Sequence, residues 1–258
     1  MNTESLKKSW LALMAHHPMG KEVVATATAF MGKVHSEIKG KDYALFQQAM
    51  DLMFQLHCDQ KDRPDGKPYV SHTLSVGMKV FHLYDHSKGE LQEVLTAGLL
   101  HDSLEDQMQK LARISKLPSI AHEEAAAIEI VHRFGLGVWE LLVQLTNPNF
   151  DELLQELGIG KDDTQYRAEK NKLYAAHVED IIQKYPLLII KLADFTENAP
   201  GVSLLPEETV EQKNKKLKLA QKYLPVIPIF MEKISGEEPF QEYATLLRDT
   251  AYKLAQIS

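Results

Sequence analysis

Apolar positions along this chain return every three or four residues, the period of a helix, far more often than they alternate as in a strand. Leu6, Trp10, Leu13 and Met14 share one helical face, and Phe46, Met50, Met53, Phe54 and Leu56 share another. The pattern stops at His17-Pro18-Met19-Gly20, Arg63-Pro64-Asp65-Gly66-Lys67-Pro68, Asn147-Pro148-Asn149, Tyr185-Pro186, Pro200-Gly201 and Leu224-Pro225. Proline removes a backbone donor and glycine permits a tight turn, so these are helix boundaries. The intervening segments predict helices near residues 21–38, 41–58, 71–86, 90–107, 119–133, 136–146, 163–184, 187–197 and 207–223, with further helical segments at about 226–234 and 238–256.

The run 187–192 is apolar except for Lys191 and fits either a short buried strand or a helix; its flanks favour the helix. The charged stretch 151–172 predicts a surface loop before its helix begins. Residues 207–222, with Lys213, Lys215, Lys216 and Lys218, predict a solvated helix face, whereas Phe46 and Trp139 read as core. An all-α helical bundle is the fold class expected. Without an internal repeat or a Gly/Ser linker, one domain is the simplest organisation, with residues 1–40 as an N-terminal helical extension and the helices of 226–258 packed on the same domain.

Polar side chains interrupt this apolar pattern most sharply in Gly98-Leu99-Leu100-His101-Asp102-Ser103-Leu104-Glu105-Asp106. Val94, Leu95, Ala97, Leu99 and Leu100 make the segment core-facing, and Gly98 lets another helix or a ligand approach the backbone closely. On a continuous helix His101 and Asp102 point about 100° apart, a spread that one metal ion can bridge. One turn later Glu105 sits over His101 and Asp106 over Asp102. Carboxylates in an apolar setting need a cation or good hydrogen bonds. His72, at the start of a helix continuing through Val76 and Val80, and Asp194, ending the apolar stretch from Leu187, stand against similar backgrounds. Two imidazoles and two carboxylates without thiolates suit Mn²⁺, Fe²⁺ or Mg²⁺, with zinc also compatible.

The net charge of −7 argues against binding extended nucleic acid. No stretch has the length of a signal-peptide core or a membrane span, so the chain reads as cytoplasmic and without a membrane partner. The one cysteine, Cys58, leaves no internal disulfide and no multi-cysteine zinc site, and reads as a packed side chain rather than a nucleophile. The pattern specifies no oligomeric state.

His72, the adjacent pair His101-Asp102 and the distant Asp194 resemble the ligand set of the HD-domain metal-dependent phosphohydrolases. Within that superfamily, four motifs are similar, in the same order, to the hydrolase domain of RelA/SpoT enzymes. They are His57-Cys58-Asp59-Gln60-Lys61, Gly66-Lys67-Pro68-Tyr69-Val70-Ser71-His72, Leu99 to Asp106, and Lys191-Leu192-Ala193-Asp194 with Asn198. The resemblance implies an HD-type hydrolase domain over 41–225. It implies removal of the 3′-pyrophosphate from guanosine tetra- or pentaphosphate, a small-molecule nucleotide, with Mn²⁺ held by His72, His101, Asp102 and Asp194. It further implies that Glu105 and Asp106 position or activate the attacking water, and that Lys61, Arg63, Lys67 and Asn198 contact the nucleotide.

Three positions depart from the family's pattern. Thr73 stands where proline is usual, Phe195 where a basic residue follows the metal aspartate, and Pro200 at another usual basic position. Thr73 is expected to alter the helix start and keep the ligand. Phe195 and Pro200 bear on substrate identity, and keep two alternatives open: an HD-type phosphohydrolase for a different nucleotide or phosphodiester, and a non-catalytic nucleotide-binding regulatory module. The chain resembles the small, hydrolase-only members, so no alarmone synthesis is expected.

Overall fold

The structure, a computed structural model, describes residues 2–117 and 120–257. Among these residues the regular structure is helical, with α-helices and short 3₁₀ turns and no strand, as the periodicity predicts. The chain divides into two compact units, Met1–Thr146 and Asn147–Ser258, which join in sequence at the predicted Asn147-Pro148-Asn149 break.

The first unit contains α1 (Thr3–Leu13), α2 (Gly20–Glu37), α3 (Gly40–His57), α4 (Tyr69–Leu83), α5 (Leu91–Leu100), α6 (Ser103–Asp106), α7 (Met108–Ile114), α8 (His122–Phe134) and α9 (Leu136–Leu145). Helix α5 lies at its centre, against α3, α4 and α9. Every α5 residue except Gln92 and Glu93 is buried, as a helix apolar on nearly all sides requires. Two glycines let α4 and α5 approach. A Cβ on Gly98 would stand 2.9 Å from Val80 Cγ2, and one on Gly77 only 2.5 Å from Leu99 Cδ2. This is the close approach anticipated from Gly98, and it sets the spacing of the side chains that α4 and α5 carry.

The amino-terminal helices share the same core. Trp10 stacks on Phe54 with ring centroids 4.5 Å apart, and its indole Nε1 donates to Asp51 Oδ1 at 3.0 Å. Phe46 is fully buried and meets Phe30 edge-on at 5.6 Å. Trp139 is half-buried instead, because the inward face of α9 is Val138, Leu142 and Leu145.

The second unit contains α10 (Phe150–Glu156), α11 (Tyr166–Ile181), α12 (Tyr185–Asn198), α13 (Val210–Tyr223), α14 (Ile227–Ile234) and α15 (Gln241–Ala255). The 187–192 run is helical: Pro186 occupies the first turn of α12, where a missing N–H removes no helical bond. The charged stretch includes the expected surface loop, residues 157–165 before α11, but opens on the short helix α10, capped by the Asn149 side chain, which accepts from Glu152 N. Lys213, Lys215 and Lys218 are exposed as expected, whereas Lys216 is buried and paired with Glu207.

Two further boundaries differ from the periodicity. The segment expected as one helix over 90–107 is α5 and α6, separated at His101–Asp102. There the His101 ring takes the Gly98 carbonyl, and Asp102 sits at φ −90°, ψ 0°, between regular helical turns. The helix expected from 119 begins at His122 among the described residues; residue 119 itself lies outside them.

Candidate metal centre

The start of α4 carries His72 and the end of α5 carries His101 and Asp102. Their ligand atoms all lie within 4.8 Å of one another, so these residues form a cluster that could hold a metal ion. Asp102 Oδ2 is the meeting point, 3.0 Å from His101 Nε2 and 3.4 Å from His72 Nε2. His101 Nδ1 lies 2.9 Å from the Gly98 carbonyl. A carbonyl only accepts, so Nδ1 holds the proton and a neutral ring turns the Nε2 lone pair toward Asp102. A lone pair facing a carboxylate oxygen needs a cation or an additional proton between them. The donor set therefore fits a divalent metal, with neutral imidazole nitrogens and a carboxylate oxygen.

Both histidines are buried, and the Asp102 side chain is 18% exposed. Burial pushes the Asp102 carboxyl up, but His101 and His72, when protonated, outweigh it by charge and hydrogen bonding and hold the group well below the usual carboxylate range. Tyr69, three residues before His72 on α4, donates its hydroxyl to Asp102 Oδ2 at 2.7 Å. Burial and the nearby Asp102 charge push the phenol far above its ordinary value, so it remains a donor. Thr73 leaves the helix start upstream of the ligand: α4 begins at Tyr69 after Pro68, and the Thr73 hydroxyl donates back to the Val70 carbonyl at 3.1 Å.

Glu105 and Asp106 lie on α6 and are exposed. Asp106 keeps the one-turn relation to Asp102, with its N–H donating to the Asp102 carbonyl at 2.9 Å. The Asp106 carboxylate accepts from Gln60 Nε2 at 2.8 Å. The basic loop before α4 is closed by Arg63 N–H to the Lys67 carbonyl and Gly66 N–H to the Arg63 carbonyl, both 2.9 Å, with Gly66 at φ +78°. Lys61 is exposed and Arg63 half-buried; Lys67 pairs with Asp65 at 3.5 Å. Cys58 is half-buried, and burial pushes its thiol up, away from the reactive thiolate.

In the second unit, Asp194 lies on the last turns of α12 with both carboxylate oxygens engaged. Asn198 Nδ2 donates to Oδ1 at 2.6 Å, and the buried Lys191 ammonium is 3.6 Å from Oδ2. Asn198 thus directs its amide to Asp194. Phe195 is buried, against Tyr223 at 5.4 Å and Phe230 at 5.0 Å, so it fills the core of this unit. Pro200 opens a 3₁₀ turn, Pro200–Leu204.

The chain is distantly similar to a nucleotide pyrophosphohydrolase. It is 28% identical over 163 residues to the guanosine-3′,5′-bis(diphosphate) 3′-pyrophosphohydrolase of Aquifex aeolicus (strain VF5), a match covering 63% of this chain and 18% of that relative. No family model and no solved structure matches the chain.

Tyr69, His57 and Gln60 are the residues around the cluster whose contacts the periodicity did not identify. Each had a positional signal: Tyr69 stands three residues before His72 on one helix, and His57 and Gln60 are three apart at the end of α3. His57 is wholly buried, its Nδ1 is 2.6 Å from Gln60 Oε1, and its ring stacks on Tyr69 with centroids 5.4 Å apart.

Proposed function

We propose that this chain is a cytoplasmic, metal-dependent phosphohydrolase that removes the 3′-pyrophosphate of guanosine 3′,5′-bis-polyphosphates with water. The observation that carries the reading is the convergence of His101 Nε2 and His72 Nε2 on Asp102 Oδ2. The similarity to the Aquifex aeolicus pyrophosphohydrolase supports the substrate class. His72, His101 and Asp102 hold the ion, which we take to be Mn²⁺, and the motif resemblance adds Asp194 as a further ligand. A bound divalent ion supplies Lewis acidity, favouring ionisation of water and offsetting charge on phosphoryl oxygens.

The chain's own residues do the rest. Tyr69 donates to Asp102 and fixes its carboxylate, and the Gly98 carbonyl fixes the His101 tautomer. Glu105 and Asp106, both exposed, orient the water and accept its proton, the roles the motif resemblance gives them. The water oxygen bonds to the phosphorus, the bond to the 3′ oxygen breaks, a proton reaches that oxygen, and pyrophosphate leaves. Lys61, Arg63 and Lys67, with Asn198, meet the nucleotide. The motif set spans 41–225, which we assign as the hydrolase domain, with 1–40 as its extension and 226–258 as its closing helices.

Incubation with guanosine tetraphosphate and Mn²⁺ tests this reading by release of pyrophosphate. Turnover lost on chelation and in His101→Ala supports it; no release with Mn²⁺, Mg²⁺, Fe²⁺ or Zn²⁺ overturns it. Asp194→Asn should weaken Mn²⁺ uptake with the fold intact, and unchanged uptake would remove Asp194 from the set. Lys67 paired with Asp65 and Phe195 turned into the core favour a second reading, the same chemistry on a different phosphorylated nucleotide. Stronger turnover of another nucleotide in a substrate panel would select it.

A further inference from the structure

The amide of Gln60 touches three side chains. Its Nε2 donates to Asp106 Oδ2 at 2.8 Å, and its Oε1 lies 3.0 Å from Gln107 Nε2 and 2.6 Å from His57 Nδ1. The chemistry of these partners orients the whole chain of bonds. A carboxylate oxygen accepts, so the amide NH₂ faces Asp106; the amide oxygen then faces the imidazole, and His57 Nδ1 must donate. The opposite tautomer would set a lone pair against the amide oxygen. It would also leave an N–H at Nε2, a wholly buried atom for which no hydrogen-bond partner is found among the described residues.

His57 is suited to a fixed role. It is clamped at the end of α3 and stacked on Tyr69, itself bonded to Asp102. Burial pushes its ring below the ordinary imidazole range, keeping it neutral. Gln60, by contrast, is half-buried, with its donating end turned to an exposed carboxylate. One end of the array is buried and the other reaches the residue assigned to the water.

We propose that His57 and Gln60 form a positioning relay that sets the orientation of the Asp106 carboxylate; this rests on the reading of Asp106 as the group that manages the attacking water. His57 donates from Nδ1 to the Gln60 oxygen, fixing which way the amide points, and the Gln60 NH₂ holds one Asp106 oxygen. Together with the Tyr69 hydroxyl, which also reaches the Asp106 carboxylate, this fixes how Asp106 presents itself to the water. Neither relay residue belongs to the set assigned to the ion.

Gln60→Glu is the informative variant because it keeps the shape and the acceptor for His57 and Gln107, but replaces the donor to Asp106 with a like charge. We expect kcat to fall by about tenfold or more, within the range attributable to a positioned acid–base group, with KM and Mn²⁺ affinity little changed. Gln60→Ala should behave the same way if the glutamate variant folds poorly. Gln55→Glu is the matched control, since Gln55 Nε2 makes an equivalent bond to Asp51 Oδ2 at 2.8 Å within α3; its kcat should match wild type. Long-range ¹H–¹⁵N spectra of the metal-free protein should show the Nδ1–H tautomer of His57. A wild-type kcat in Gln60→Glu, with wild-type turnover intact, overturns the relay alone, as does the Nε2–H tautomer. A wild-type protein that turns over no phosphorylated nucleotide overturns the reading of the site, and the relay's role with it.

Discussion

Alanine at Gly98 should push α4 and α5 apart. The added methyl would stand 2.9 Å from Val80 Cγ2 and 3.4 Å from its Cβ. Val80 is fully buried and β-branched on a helix, where one χ1 rotamer dominates, so its methyl has nowhere to swing. Overpacking of this kind costs about 1–3 kcal/mol. Against it stands about 1 kcal/mol gained by replacing glycine with alanine inside a helix. The net is a loss of up to about 2 kcal/mol on those two scales. Val80→Ala alone should cost about 1.6 kcal/mol for two methyl-sized groups, plus a cavity contribution. In that background, however, Gly98→Ala has room and becomes favourable. The double-mutant cycle should therefore give a coupling of about 1–3 kcal/mol in urea denaturation. Mn²⁺ uptake should follow: weaker in Gly98→Ala, because α4 and α5 carry His72 and His101, and recovered in the double variant. A Gly98→Ala protein stabilised by about 1 kcal/mol, as propensity alone predicts, would refute the close-approach argument. So would two substitutions that add to within about 0.5 kcal/mol.

Other perturbations read different parts of the molecule. Tyr69→Phe removes the 2.7 Å bond to Asp102 and should weaken Mn²⁺ binding by about 10–100-fold in calorimetric titration; undiminished affinity would remove Tyr69 from the centre. Asp151 is held down to about 2 by its bond from Lys170, with Tyr166 assisting. A carboxylate whose folded pKa lies below its unfolded value stabilises the fold above the unfolded value, and loses that contribution as pH falls through the folded one. The melting-temperature gap between wild type and Asp151→Asn should thus be constant from pH 7 to 5, and close between about pH 4 and 2. A gap that persists unchanged at pH 2 would contradict the assignment.

Helical periodicity located most of the helices because apolar faces dominate their sequences. It failed where local hydrogen bonding overrides the pattern. The His101 side chain competes for the Gly98 carbonyl and helps divide the segment read as one helix into α5 and α6. Asn149 caps a charged helix whose buried face is only Phe150 and Leu154, too short to register as periodic. The histidines and aspartate of the cluster were legible because polar groups stood in apolar surroundings. Tyr69, His57 and Gln60 were harder to read, since an aromatic near an apolar run and an amide at a helix end have ordinary structural uses. Their significance comes from partners distant in sequence, with Tyr69 bonded to Asp102 and Gln60 to Asp106. Phe195 was read by its place in a motif, whereas its packing against Tyr223 and Phe230 assigns it to the core.

Titration of the metal-free protein with Mn²⁺, in wild type and His101→Ala, tests whether the histidine–aspartate cluster holds the ion. Wild type should bind one ion tightly per chain, and the variant should lose that binding while retaining its helical circular-dichroism spectrum. Equal stoichiometry and affinity in the two proteins would contradict it.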